Sequence, residues 1–226
     1  MTFEEFRLAF QTVRNLGWVP SHRRGPTGVG HTLEQLLGLE ENNISLPDLG
    51  GIELKAHRAT STSMITLFTF NRKVWKMKPL EAVRTYGTQD KNGRIGMYFT
   101  MSRNPNGSNL FLQIAPTTVS VRHIGGNVIA EWPLEALATR FMKKFPGLIL
   151  VSASSEMRGT IEWFRFDRAQ KLSGTTGEIL RQQLDAGNVL LDLRLHDKIT
   201  SVRNHGTGFR VFEDKLPLIF ANVEEV

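Results

Sequence analysis

Apolar positions near the start of the chain recur every three to four residues: Phe3, Phe6, Phe10 and Val13. That spacing places them on one face of a helix, which Gly17 ends. A polar, glycine-rich stretch follows, His22-Arg23-Arg24-Gly25-Pro26-Thr27-Gly28-Val29-Gly30. Thr32 and Gln35 then form a T-x-x-Q capping-box pattern, which predicts a second helix starting at Thr32 and burying Leu33, Leu36 and Leu37. From Gly51 the period changes to two. Ile52, Leu54 and Ala56 alternate with Glu53, Lys55 and His57, so a strand here sends the first three to the core and the last three to its other face. Residues 63–70 read as a second, more buried strand. Residues 96–101, 109–115, 117–123 and 127–132 read as further strands, the last two joined by a Gly125-Gly126 turn. Pro133 opens a helix with Lys143 and Lys144 near its end. Strands over 147–153 and 160–166, a helix over 177–186 stopped by Gly187, and strands over 188–195 and 206–212 complete the pattern. This mixture predicts an α/β (α+β) fold around a mixed sheet flanked by helices.

A length of 226 residues suits one large domain or two lobes sharing a core. Cysteine is absent, which excludes disulfides, thiolate zinc sites and cysteine nucleophiles. Glu4 and Glu5 stand where a signal peptide would be basic, and no apolar run approaches the ~18 residues of a membrane span, so a cytoplasmic protein without membrane contact is expected. The 28 basic against 22 acidic residues matter for where they sit. Residues 7–33 hold Arg7, Arg14, Arg23 and Arg24 and no acid, and residues 71–94 hold seven basic residues against Glu81 and Asp90. Such blocks suit a polyanion, although a solvated basic face would look the same.

The segment Pro47-Asp48-Leu49-Gly50-Gly51-Ile52-Glu53-Leu54-Lys55 carries the chemistry. It sets Asp48 at a strand entrance, with Glu53-x-Lys55 on the strand and two glycines allowing a bend that brings Asp48 back towards Glu53. Two neighbouring carboxylates repel unless a cation lies between them, and hard divalent ions take oxygen ligands. Lys55, on the face of Glu53, suits an attacking water or the charge of a phosphorane-like transition state. An ordinary strand with a Glu–Lys row is the plain alternative. Gly25-Pro26-Thr27-Gly28-Val29-Gly30-His31-Thr32 nearly spells a P-loop, but His31 replaces the lysine that a nucleotide needs.

Taken together, Arg24-Gly25-x-Thr27-Gly28-x-Gly30-x-Thr32-x-Glu34-x-Leu36-Leu37, Pro47-Asp48, Ile52-Glu53-Leu54-Lys55-x-His57, Leu67-Phe68-Thr69 and His205-Gly206-Thr207-Gly208-Phe209-Arg210 resemble the MvaI/BcnI restriction endonucleases. More distantly they are similar to MutH mismatch-repair nicking endonucleases. The resemblance covers both ends of the chain and leaves about 75–145 unmatched. It implies a PD-(D/E)xK fold with two lobes around a DNA cleft, a catalytic lobe over 1–135 and a recognition lobe over 136–226. It implies a type II restriction endonuclease that cuts double-stranded DNA at a short CCNGG-like site, as a monomer that nicks the strands in sequence. Asp48, Glu53 and Lys55 are then catalytic, Glu34 lies near the metal, and Asp48 and Glu53 hold Mg²⁺, with Mn²⁺ as a substitute.

In that setting the near-P-loop becomes a DNA-backbone contact: Arg23, Arg24, Thr27 and the backbone N–H groups of Gly28–His31, next to the positive end of a helix. A glycine turn capping a helix is the plainer reading. His57 shares the face of Glu53 and Lys55. Around the C-terminal motif, Arg194, Lys198, Arg203, Asn204, His205, Thr207 and Arg210 form a second DNA-contact zone, where Arg203, Arg210 and His205 suit guanine and Lys198 suits phosphates. Arg72, Lys73, Lys76 and Lys78 also suit phosphates. Two alternatives are a MutH-like repair nickase, which would depend on a partner and on methylation, and a DNA-binding module that has lost catalysis.

Overall fold

The first helix begins where its own chemistry allows. Glu5 N–H donates to Thr2 Oγ1 at 3.2 Å and Thr2 N–H donates to a Glu5 carboxylate oxygen at 2.7 Å, a reciprocal cap. In this computed structural model, which describes residues 1–39, 52–61 and 63–226, the elements run α1 (Phe3–Asn15), β1 (Trp18–Pro20), α2 (Gly28–Leu36), β2 (Glu53–Arg58), β3 (Met64–Thr69) and α3 (Pro79–Tyr86). Next come β4 (Thr88–Gln89), β5 (Ile95–Met101), β6 (Leu110–Ile114), β7 (Thr118–His123), β8 (Val128–Pro133), α4 (Leu134–Lys144) and β9 (Leu148–Arg158). The chain ends with β10 (Ile161–Ser173), α5 (Gly177–Asp185), β11 (Val189–Asp197), β12 (Val202–Asn204), β13 (Gly208–Phe212), a 3-10 segment (Glu213–Ile219) and β14 (Asn222–Glu225). Among the described residues, no helix is long and apolar enough to cross a membrane.

Contacts divide the chain into two compact units. Unit 1 comprises Met1–Thr62, Phe145–Gly174 and Phe220–Val226. It holds a mixed sheet in the order β1-β10-β9-β2, with β14 also on β10. β9 and β10 form a long antiparallel hairpin, and β2 joins β9 in parallel. Phe6, Phe10 and Val13 of α1 and Val29, Leu33 and Leu37 around α2 pack on Leu54, Ile149, Val151, Phe164 and Phe166, forming the core on one sheet face. Unit 2 comprises Ser63–Lys144 and Thr175–Ile219. It holds a sheet in the order β3-β13-β11-β5-β4, with β12 on β11, and a three-stranded sheet β6-β7-β8. The units are thus interleaved along the chain. The reason is the parallel β2–β9 pair: parallel strands need a long crossover, and the chain between these two carries Ser63–Lys144 of unit 2.

Local differences from the sequence pattern have physical causes. α2 starts at Gly28, four residues before the expected Thr32 cap. Val29 and Leu33 bury one face together, and Thr32 is fully buried, its hydroxyl accepting from His22 N–H at 3.1 Å. The T-x-x-Q pattern therefore ties the preceding loop to the helix: Gln35 Oε1 meets His22 Nδ1. α3 was hidden in the basic stretch, although Pro79 at its first turn and Ala82, Val83 and Tyr86 on its buried face follow helical rules. That stretch is also partly neutralised, by Lys76–Glu131 at 3.3 Å, Arg84–Asp197 at 2.7 Å and Arg94–Asp90 at 2.8 Å.

Candidate functional site

The Glu53-x-Lys55 pair lies on β2, which among the described residues stands at one edge of the unit 1 sheet. Glu53 and Lys55 are half-buried and share one strand face by alternation. Their register partners on β9, Leu148 and Leu150, are buried, so both charges stand beside apolar surface that weakens competition from water. Because α2 turns Val29, Leu33 and Leu37 inward, Thr27, His31 and Glu34 are left to line a groove of about 290 Å³. Lys55 and Arg23 line the same groove. Five expected site residues from two separate sequence motifs therefore share one concavity.

The loop before α2 is held in place by bonds unforeseen from the sequence. Arg58, at the end of β2, donates from Nε and Nη2 to the two Glu162 carboxylate oxygens at 2.6 and 2.7 Å. The same guanidinium donates to the carbonyls of Pro26 and Gly25, each at 3.1 Å, and lies 5.3 Å from the Phe164 ring centroid. Gly28 is buried, and a Cβ there would lie 2.4 Å from the Arg23 carbonyl oxygen, so only glycine lets the loop close on the helix. Gly28 thus shapes the loop and presents no surface of its own. Of the N–H groups expected to cradle a phosphate, that of Gly28 donates to Gly25 O and that of His31 to Thr27 O, both at 3.1 Å. Arg24 is exposed and, with Arg23 and His22, borders a neighbouring hollow of about 420 Å³. His57 is 7% exposed and its Nε2 meets Ser152 Oγ at 2.7 Å, so the ring is engaged with β9 inside the unit.

Asp48, with Pro47 and the Gly50-Gly51 bend, lies outside the described residues. Among the described residues, no three His, Cys, Asp or Glu side chains cluster as a metal site. The carboxylates present, Glu53 on β2 and Glu34 in the groove, are hard oxygen donors of the kind that Mg²⁺ takes, and the chain has no thiol to favour a softer ion.

The C-terminal zone forms the polar face of the unit 2 sheet. Asp192 on β11 is buried and accepts from Thr100 Oγ1 at 2.6 Å, Arg194 Nη2 at 2.6 Å and Arg210 Nη1 at 2.9 Å. Arg210 Nη2 also donates to Met64 O at 2.8 Å. Arg194 and Arg210 are thus committed to Asp192. Thr207 is fully buried, its hydroxyl accepting from Arg194 N–H, and Asn204 Oδ1 accepts from the N–H groups of Gly206 and Thr207. Lys198, Arg203 and His205 are exposed. His205 stacks on His196 at 4.9 Å between centroids, and both Tyr98 Oη and His205 Nε2 lie 3.0 Å from His196 Nδ1. Burial, then the charges of His205, Arg94, Arg203 and Lys198, lower the His196 pKa and favour the neutral ring. Tyr98 belongs to no sequence motif and joins this cluster by its place on the polar face of β5, opposite Arg194.

Burial pushes the Asp192 carboxyl up, but bonds from Thr100, Arg194 and Arg210 outweigh it and hold the pKa below the ordinary value of 3.8. A depressed folded-state pKa contributes stability above the unfolded value, lost as pH falls through the folded one. Asp192→Asn is therefore expected to cost about 1–3 kcal/mol at neutral pH and to flatten the stability loss below about pH 4, read from melts across pH. Melting curves that match the unmodified chain at both pH values would remove this role.

A family model described as the MvaI/BcnI restriction endonuclease family matches residues 8–220. Among solved structures, the restriction endonuclease MvaI with cognate DNA substrate is 26% identical, over 100% of this chain and 99% of that chain, with a TM-score of 0.65. Restriction endonuclease MvaI in the absence of DNA is 26% identical, over 100% of this chain and 98% of that chain, with a TM-score of 0.66. No curated protein matches significantly.

Proposed function

The chain belongs to the MvaI/BcnI restriction endonuclease family and is a type II site-specific endonuclease, and from that premise we propose that it hydrolyses phosphodiester bonds of double-stranded DNA at a short CCNGG-like site. Enzymes of this family work with divalent metal ions; the proposed ion is Mg²⁺, with Mn²⁺ as a substitute. The proposed active form is a monomer that nicks the two strands in turn. The observation that carries this reading is the groove in which Lys55 and Glu34 meet Arg23, Thr27 and His31. It combines a carboxylate and an ammonium for chemistry with donors for a phosphate backbone. The solved complex of MvaI with its cognate DNA supports a duplex as the partner.

Asp48 and Glu53 would hold the metal, with Glu34 beside it; when bound, the ion supplies charge neutralisation at the scissile phosphate and a lower pKa for its water. Lys55 holds a positive charge against the developing phosphorane and donates to the attacking water or a phosphate oxygen. Arg23, Arg24 and Thr27 position the strand by its backbone. Unit 1 takes the catalytic role. Unit 2 takes the reading role, through exposed Arg203, His205 and Lys198 against bases and phosphates, with Arg194, Arg210, Asn204 and Thr207 holding that surface in shape. One groove with one metal centre cuts one strand per engagement, hence sequential nicking.

Digestion of a sequenced plasmid in Mg²⁺ tests this. Nicked circles are expected first, then linear DNA, with ends mapping to a CCNGG-like sequence. Absence of cleavage in both Mg²⁺ and Mn²⁺ overturns the function, and cleavage that requires a partner protein and hemimethylated DNA transfers it to MutH-like repair. Linear product without a nicked precursor overturns the sequential mechanism.

A further inference from the structure

Helix α4 buries Leu134, Leu137, Ala138 and Phe141 and leaves Arg140, Lys143 and Lys144 exposed. These three cations face β3, which among the described residues stands at one edge of the unit 2 sheet, across a pocket of about 480 Å³ that Thr66 and Thr69 also line. Among the described residues, no carboxylate lines the pocket. Lys144 Nζ donates to Thr66 O at 3.3 Å, which fixes that ammonium over the strand edge. The Arg140 guanidinium lies 5.6 Å from the Phe70 ring centroid. A guanidinium held over a ring can still present its N–H groups to a bidentate acceptor. Lysines at a helix C-terminus are ordinary complements of the helix dipole, which accounts for Lys143 and Lys144. It does not account for Arg140 one turn earlier, nor for two exposed threonine hydroxyls opposite.

We propose that this pocket binds a phosphate, and specifically a backbone phosphodiester of duplex DNA, as an anchor that orients the duplex without reading its sequence. The proposal rests on the duplex substrate put forward above. Three kinds of donor line a concave site with no carboxylate among the described residues, and a phosphodiester offers two non-bridging oxygens that together suit the Arg140 fork and keep lone pairs for the lysine ammoniums and threonine hydroxyls. The contact is electrostatic, so its worth falls with salt and is the same for cognate and unrelated sequences.

The test uses the full chain without divalent metal, so that binding is read apart from cleavage. A labelled duplex is titrated by anisotropy across a salt series with the unmodified protein, with Arg140→Ala/Lys143→Ala, and with Lys215→Ala as a charge-loss control outside the pocket. The double variant is expected to bind cognate and unrelated duplexes more weakly by a similar factor, about tenfold. Its slope of log K against log salt should shrink by about 1.8, two contacts at about 0.9 each. The control should keep its slope. If the unmodified chain binds duplex and the double variant shows the same affinity and slope, the anchor is overturned while the endonuclease reading stands. If the unmodified chain binds no duplex, the endonuclease reading falls and takes the anchor with it. Inorganic phosphate, titrated by calorimetry, separates the two phosphate sources. Saturable submillimolar binding that the double variant loses, with an unchanged DNA slope, assigns the pocket to free phosphate and overturns the duplex assignment.

Discussion

Lys55→Ala is expected to lower metal-dependent cleavage of a cognate duplex about 10³-fold while leaving duplex binding largely intact. The residue stands half-buried on β2 between buried Leu54 and partly buried Ala56, and it lines the groove with Glu34. A charge that acts mainly on the transition state changes the rate and not the affinity, which separates it from Arg23 or Arg24. Lys55→Arg should recover only a part, because a planar fork does not replace a compact ammonium in a fitted groove. Single-turnover cleavage at saturating metal, with anisotropy binding in parallel, reads both quantities. A Lys55→Ala protein that cuts at the unmodified rate would remove Lys55 from the chemistry, and with it the assignment of the groove as the active site.

The second large effect is expected at Arg58, which has no proposed chemical role. Arg58→Ala removes both bonds to Glu162 and the donors to Pro26 O and Gly25 O at one stroke. The two side chains are 23% and 22% exposed, so Glu162 is left as a largely desolvated carboxylate without its counter-charge. A cost of about 2–3 kcal/mol follows, or a Tm fall of about 4–12 °C for a chain of this size. Cleavage should fall as well, since the loop carrying Arg23 and Thr27 loses its attachment to β2. Arg58→Lys should lie between, keeping charge but not the bidentate fork. A double-mutant cycle with Glu162→Gln measures the coupling. An Arg58→Ala chain with unmodified Tm and cleavage would show that the loop is held by other means.

The sequence by itself determined those features that rest on neighbours along the chain. The 3.6-residue spacing of Phe3, Phe6, Phe10 and Val13 specified α1, and the two-residue alternation from Ile52 specified β2 and put Glu53 and Lys55 on one face. The Gly125-Gly126 turn specified the β7–β8 hairpin, and Gly187, at φ 75°, the end of α5. Motif likeness singles out Thr27 and Glu34, which share a groove with Arg23 in the folded chain.

Tertiary structure alone decided what depends on residues distant in sequence. Thr32 reads as a cap until His22 bonds to it, and His57 reads as a face-sharing partner of Lys55 until Ser152, 95 positions away, takes its ring nitrogen. Arg194 and Arg210 read as guanine contacts until Asp192 is found buried between them, a carboxylate whose burial no local pattern announces. The interleaving of the two units follows from the parallel β2–β9 pairing, a choice of strand partner made by the packing of the whole sheet. Periodicity and turn chemistry are short-range and are written into successive residues. Strand pairing, burial of polar groups and charge partnership are set by which distant surfaces exclude water together, and they take effect only in the folded chain.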